Sequence, residues 1–385
     1  MNQESTPKKS FLAGTDQPVS FAELFFDLVF VFSVTQVVHL LHGAFDWLHV
    51  GRAILVFWLV WWAWTQFTWA LNAADTTHNR IQFSILLATA FAFFMAVSVP
   101  QAFGTFSFCF ALTYVIVRSI GLLIYLWVSW PDHEMRSAVR TFAVISIAGL
   151  VAAIAGGIVG GEAQYWLWGL TILLDVLAAT IGAGSEGWNL HPRHFAERHG
   201  LFVIIALGET LIVAAAAASE EVWEINLLSV SAVAVGITSV LWWLYFFRIK
   251  DRLEHAMAHV KGGVQSSLGR DVFSLLHFPM ICGLIIYAYA IEEAMLQPSG
   301  PMSVQGRLAL ASGTILYTLS IVLCYWRATG KIMWWRIVFT LAMAVVVISC
   351  KETDVFYTFL ICFTGLLMLC LLEEKIQNHK VMISP

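Results

Sequence analysis

The stretch SFAELFFDLVFVFSVTQVVHLL, residues 20–41, decides how this chain is read. It is a predominantly apolar run of the roughly 20 residues that a helix needs to cross a hydrocarbon core about 30 Å thick. It nevertheless carries two acids, Glu23 and Asp27, whose spacing of four places them on one helical face. Lipid offers no partner to an exposed backbone group, so an apolar run of this length predicts a helix and excludes an open strand.

Outward from that stretch the pattern recurs. Apolar runs fall near 20–42, 49–71, 82–103, 107–130, 141–160, 164–183, 199–218, 226–247, 272–293, 306–326, 333–350 and 354–372. They predict an all-α integral membrane protein of about twelve transmembrane helices. The composition agrees, with 59% hydrophobic residues, 28 Phe, 17 Trp and 12% charged residues, against about 25% charged in soluble domains. The start MNQESTPKKSFLAGTDQP is polar and lacks the apolar core and cleavage site of a signal peptide, so the first helix is expected to stay. Cys109, Cys282, Cys324, Cys350, Cys362 and Cys370 lie in or at the ends of apolar runs and read as small packing residues, not a disulfide frame.

Charge orients the chain. Only Arg52, Arg307 and Lys351 fall on one side of the alternating loops, Arg118 lies inside a helix, and the other Lys and Arg residues share the side of both termini. Cytoplasmic loops hold the basic excess, so both termini are expected in the cytoplasm. The opposite side holds acids, among them Asp46, Glu162, Glu224, Glu292, Glu293 and Asp354. They read either as a mouth that concentrates cations or as ordinary acidic loops.

Four matches recur in order: FAE at 21–23 and 195–197, LVWW at 59–62 with VLWW at 240–243, RIQFSILL at 80–87 with RDVFSLLH at 270–277, and an arginine, Arg140 or Arg336, ahead of an apolar run. They predict a tandem six-plus-six repeat with both halves in one orientation, for which a site at the repeat interface is the expectation. The organisation is a cytoplasmic tail at 1–19, a first six-helix repeat at 20–183, a cytoplasmic linker at 184–198, a second repeat at 199–373 and a cytoplasmic tail at 374–385. The longest loop lies near 248–271.

Ionisable residues inside spans are costly and read first as functional. Asp27 lies about two turns into the first helix, while Arg118, Asp175 and Glu209 each fall about ten residues from a helix end, near the middle of the bilayer. Together they are the candidate pathway for a substrate or ion, with Arg118 expected to pair with at least one acid. A buried pair that only fixes packing is the other reading for Arg118 with Asp175. Glu209 sits in a small-residue helix with Gly208 and the run Ala214 to Ala218, which permits close backbone approach. Glu23 reads first as a cap on the helix start. Glu23, Glu197, Arg80, Arg270 and His277 form a secondary set on the repeated segments.

Gly156, Gly157, Gly160 and Gly161 give overlapping GxxxG patterns that read as a packing face. The runs WWAW at 61–64 and MWWR at 333–336 read as packing and interface anchors, with stacking on a flat ligand as the other reading. HPRHFAERH at 191–199 has imidazoles enough for one metal but no metal-site spacing. No GxSxG, Walker loop, HExxH or dinucleotide fingerprint at a strand-to-helix turn occurs, so no catalytic residue, metal or cofactor is assigned, and nothing marks a nucleic-acid partner.

With SFAELFFDLVFVFSVTQVVHLL at 20–41 and HFAERHGLFVIIALGETLIV at 194–213, the chain resembles the bacterial low temperature requirement protein A (LtrA) family along nearly its whole length. The resemblance implies a multi-pass protein of the bacterial cytoplasmic (inner) membrane. FFDLVFVFSVT also resembles the Phe-Ser-Asp-x-Val-Phe segment of the endosomal and lysosomal potassium channels. Phe25, Asp27, Val29 and Phe30 match, Phe26 stands where those channels have serine, and the corresponding aspartate is absent at Leu201 or Phe202. That second likeness implies a pore lined near Phe32, Ser33 and Gln36, and a homodimer. The sequence reading is therefore a transporter or channel-like membrane protein, cation or proton coupling being favoured by the acid excess. The alternative is a membrane-embedded binding protein or enzyme acting on a lipid or isoprenoid-like molecule.

Overall fold

The computed structural model describes residues 12–13, 17–41, 46–183, 188, 190–220, 224–247 and 249–383. Among them the regular elements are helices: α1 (Phe21–His39), α2 (Trp47–Ala73), α3 (Asn79–Ser98), α4 (Ser107–Val128), α5 (His133–Val159), α6 (Gly161–Ala183), α7 (Pro192–Glu220), α8 (Ile225–Phe246), α9 (Ile249–Ala258), α10 (Gly262–Gly269), α11 (His277–Leu296), α12 (Val304–Thr329), α13 (Trp334–Ser349) and α14 (Val355–Ile383). Among the described residues ten helical spans are long and apolar enough to cross a bilayer, and α13 is a shorter apolar helix. Each of the twelve apolar runs holds a helix.

Two segments are more helical than their composition announces. Helix α7 begins at Pro192, ahead of the apolar run at 199, because proline suits the first helical position, where its missing N–H has no acceptor. The stretch near 248–271, read from sequence as a loop, contains α9 and α10. Helix α9 buries Ile249, Leu253 and Met257, one face at a spacing of four. A wide π turn, Arg270–Leu275, then leads into α11.

The chain forms two compact units. The first comprises Met1–Phe30, Leu59–Arg198 and Lys261–Ser267, and the second Val31–Trp58, His199–Val260 and Leu268–Pro385. In the first, α5 and α6 form a close hairpin whose connection runs through Gly160 and Gly161 at φ 66° and 58°, a left-handed conformation that a side chain would strain. A Cβ on Gly157 would lie 2.4 Å from the Cβ of Ala111 in α4. The absent side chain is what lets the two backbones meet. Polar groups finish the packing: Trp168 Nε1 donates to the Ala153 carbonyl at 3.0 Å, and Gln164 Nε2 to that of Ala102 at 2.7 Å.

In the second unit α11 and α12 touch backbone to backbone. A Cβ on Gly283 would sit 2.7 Å from the Gly313 carbonyl, and one on Gly313 would sit 2.8 Å from that of Gly283. Arg336 of α13 and Glu373 of α14 form a further ion pair, which ties the last two helices together.

Candidate functional site

The first turn of α1 is a capping box. Ser20 donates to Glu23 Oε2 through its amide at 2.9 Å and its hydroxyl at 2.8 Å, and the Glu23 amide donates back to the Ser20 hydroxyl at 3.3 Å. That uses one oxygen of Glu23 and turns the other toward α7. There the spacing of four recurs with opposite sign: His194 and Arg198 lie one turn apart, as do Glu23 and Asp27. Arg198 Nη1 donates to Glu23 Oε1 at 2.7 Å, and its Nη2 donates to Asp27 Oδ1. His194 Nε2 stands 3.2 Å from Glu23 Oε1.

Helix α2 supplies the third wall. Trp64 Nε1 donates to Asp27 Oδ1 at 2.7 Å, with the Arg198 guanidinium 5.7 Å from the indole ring. Asn72, two turns further along α2, brackets the start of α7. Its Nδ2 donates to the His191 carbonyl at 3.0 Å, its Oδ1 accepts from the His191 amide at 2.8 Å, and its Nδ2 lies 3.2 Å from His194 Nδ1. Burial holds the His191 ring below the ordinary histidine value, and the neighbouring His194 lowers it further.

Glu23, Asp27, Trp64 and Arg198 are fully buried, and His194 nearly so. Two carboxylates face one guanidinium, leaving a formal excess of one negative charge that a protonated His194, a proton or a small cation would balance. Asp27 Oδ2 is buried and receives no hydrogen bond. A buried carboxylate oxygen without a donor is unusual, because the desolvation it suffers is normally offset by hydrogen bonds.

The same unit holds a second buried cluster. Arg118 donates to Asp175 Oδ1 at 3.0 Å and to the Tyr114 hydroxyl at 2.8 Å, and Tyr114 lies 3.5 Å from Asp175 Oδ2. One cation meets one anion, so this cluster is neutral. Gln66 of α2 donates to the Arg118 carbonyl at 3.0 Å. Asp27 thus pairs with Arg198, and Arg118 with Asp175.

The other sequence candidates stand as follows. Glu209, in the second unit, is buried, takes a hydrogen bond from Thr35, and leaves Oε1 without a donor. His277 is fully buried. Its Nδ1 lies 2.8 Å from the Val272 carbonyl in the π turn, an atom that only accepts, so Nδ1 carries the proton and Nε2 accepts from the Tyr245 hydroxyl at 2.8 Å. Arg270 and Arg327 both pair with Asp271. Arg80 is exposed above the Trp127 ring, and Glu197 is half-buried. Phe32 is exposed, Ser33 buried and Gln36 half-buried.

Sequence reasoning missed Arg198, His194, Trp64, Asn72 and Tyr114. The available signal was the matched spacing of Glu23 with Asp27 and His194 with Arg198. It was obscured because HPRHFAERH reads as a polar loop by composition.

Many long apolar helices, with ion pairs buried among them, define the class as a multi-pass helical membrane protein. Residues 18–371 match the model of the bacterial low temperature requirement A protein (LtrA) family, and the chain belongs to that family. It is 28% identical over 319 residues to an uncharacterized protein of Rhizobium meliloti (strain 1021), an alignment covering 79% of this chain and 76% of that protein.

Proposed function

We propose that this chain is a transporter or channel-like protein of the bacterial inner membrane, and that Glu23, Asp27, His194 and Arg198 form its proton- or cation-coupling site. The observation that carries the reading is the surplus carboxylate: two buried acids share one arginine, and Asp27 Oδ2 has no donor. Such a site holds one more proton or small cation than its fixed charges supply, and binding one would weaken the hold of Arg198 on α1. Arg118 with Asp175 is neutral and serves as a packing pair in this reading. Glu209 is a second candidate acid, within the second unit. The charge asymmetry supports cytoplasmic termini, the internal matches support a parallel six-plus-six repeat, and the likeness of the first helix to the potassium channels supports a homodimer.

The test is ion flux into proteoliposomes under potassium, sodium and proton gradients, comparing wild type with Asp27→Asn. The expected result is flux for one of these ions that is lost in the variant. Equal flux in a folded Asp27→Asn protein refutes the assigned site. A second reading, a protein that binds a lipid or isoprenoid-like molecule, is favoured by a groove of about 430 Å³ on α7 and α8, lined by Ile204, Leu207, Gly208, Leu211, Trp242 and Trp243. Absence of flux for every ion, together with a lipid retained through purification, would select it.

A further inference from the structure

Among the described residues, Arg118, Arg198, Arg270, Arg327 and Arg336 each pair with a carboxylate. Arg80, Arg136 and Arg140 pair with none, and all three lie at one end of α3, α4 and α5, resting on tryptophans. The Arg136 and Arg140 guanidiniums stand 5.4 and 6.0 Å from the centre of the same Trp130 ring, and Arg80 stands 6.0 Å from that of Trp127. Trp127 lies in the last turn of α4 and Trp130 one residue past its cap Ser129, where its amide donates to the Trp127 carbonyl at 3.3 Å. Trp130 is 63% exposed. The nearby acids form no ion pair with these arginines: Asp132 spends Oδ1 on the amides of Glu134 and Met135 as the cap of α5, and Glu134 is exposed in the first turn.

Each arginine stands where its helix turns from polar to apolar. Arg80 precedes the run that begins α3, and Arg140 precedes that of α5. Below Arg136 and Arg140, at helical spacing on the same face, come Val144, Ile147 and Val151, all exposed. Leu123, one turn below Trp127 on α4, is 66% exposed. Guanidinium groups over indole rings above a strip of exposed aliphatic side chains match the order of chemistry along one phospholipid: anionic phosphate, interface, acyl chain. Guanidinium also binds phosphate oxygens in pairs, a geometry an ammonium group lacks.

We infer that Arg80, Arg136 and Arg140, with Trp127 and Trp130, bind the headgroup of one anionic phospholipid whose acyl chain lies along the exposed face of α4 and α5. The site belongs to the first unit alone and does not rest on the transport reading. The test compares the full chain, purified in detergent, in nanodiscs of phosphatidylglycerol and of phosphatidylcholine. Native mass spectrometry of the wild type should show phosphatidylglycerol retained in preference to phosphatidylcholine. The triple variant Arg80→Gln, Arg136→Gln, Arg140→Gln should bind it about a hundredfold more weakly, at about fivefold for each cation removed near an anionic surface. Arg80 and Arg140 are exposed and Arg136 is half-buried, with Nη1 donating to the Trp130 carbonyl at 3.2 Å, and a variant with lysine at each should recover the charge-dependent part of binding. Equal retention of the two lipids by the wild type overturns the inference, as does undiminished phosphatidylglycerol binding by the folded triple variant. Competition by inorganic phosphate alone, at the affinity of the lipid, overturns the lipid assignment in favour of a simple anion patch.

Discussion

Removing the guanidinium of Arg198 tests whether the buried cluster is held by charge. In Arg198→Gln, Glu23 loses its 2.7 Å partner and Asp27 loses the contact to Nη2. Each charge pair at about 4 Å is worth about 4 kcal/mol at an effective dielectric constant near 20, and much of that is offset by desolvation. Removing one partner of a buried pair costs about 3–5 kcal/mol in measured cases. Glu23 and Asp27 then face each other one turn apart with His194 as the nearest base, so Arg198→Gln should fall at the upper end of that range. Asp27→Asn alone should cost less, since Arg198 keeps Glu23 and the cluster becomes neutral. The double variant Asp27→Asn with Arg198→Gln should be more stable than Arg198→Gln, because it removes one of the two uncompensated acids. Thermal unfolding of all four proteins in one detergent closes the cycle. A double variant that loses the sum of the two single effects would mean that Asp27 and Arg198 do not interact, and the charge argument would fail.

Two further outcomes are expected. Gly157→Ala should destabilise by about 1–3 kcal/mol as an overpacked contact, since its Cβ would meet Ala111 at 2.4 Å, whereas Gly208→Ala, with nothing within 4 Å, should be neutral or slightly stabilising. Equal melting temperatures for the two variants would show that α4 and α5 are not held at that separation. His191 titrates below its ordinary 6.5 in the folded chain, through burial and then His194. A base whose folded value is depressed contributes its full stability above the unfolded value, and loses it as pH falls below about 6.5 because the unfolded state takes the proton first. Wild type should therefore lose more stability than His191→Gln on acidification through that range, and identical pH profiles of melting would refute the assignment.

The sequence by itself determined the class of protein. Backbone groups in lipid must bond internally, so apolar runs of membrane length have one regular solution, and the helices fall where those runs do. It also marked Glu23 as a cap on the start of α1, because that role is local, and the close glycine face of α5 at Gly156 and Gly157, while Gly160 and Gly161 of the same pattern form the turn instead. What only the tertiary structure decided is which charges meet. Asp27 was legible as a buried acid, but its partner stands 171 positions away, in a segment whose composition is that of a loop. Arg118 and Asp175 were legible as a pair because both lie inside apolar runs, where an unpaired charge is too costly to stand alone. Arg198 and His194 lie outside such a run, and only the packing of α7 against α1 and α2 buries them. Pattern along a chain records what each helix does with its own backbone and its own faces, whereas the pairing of faces is set by long-range packing that no window of sequence contains.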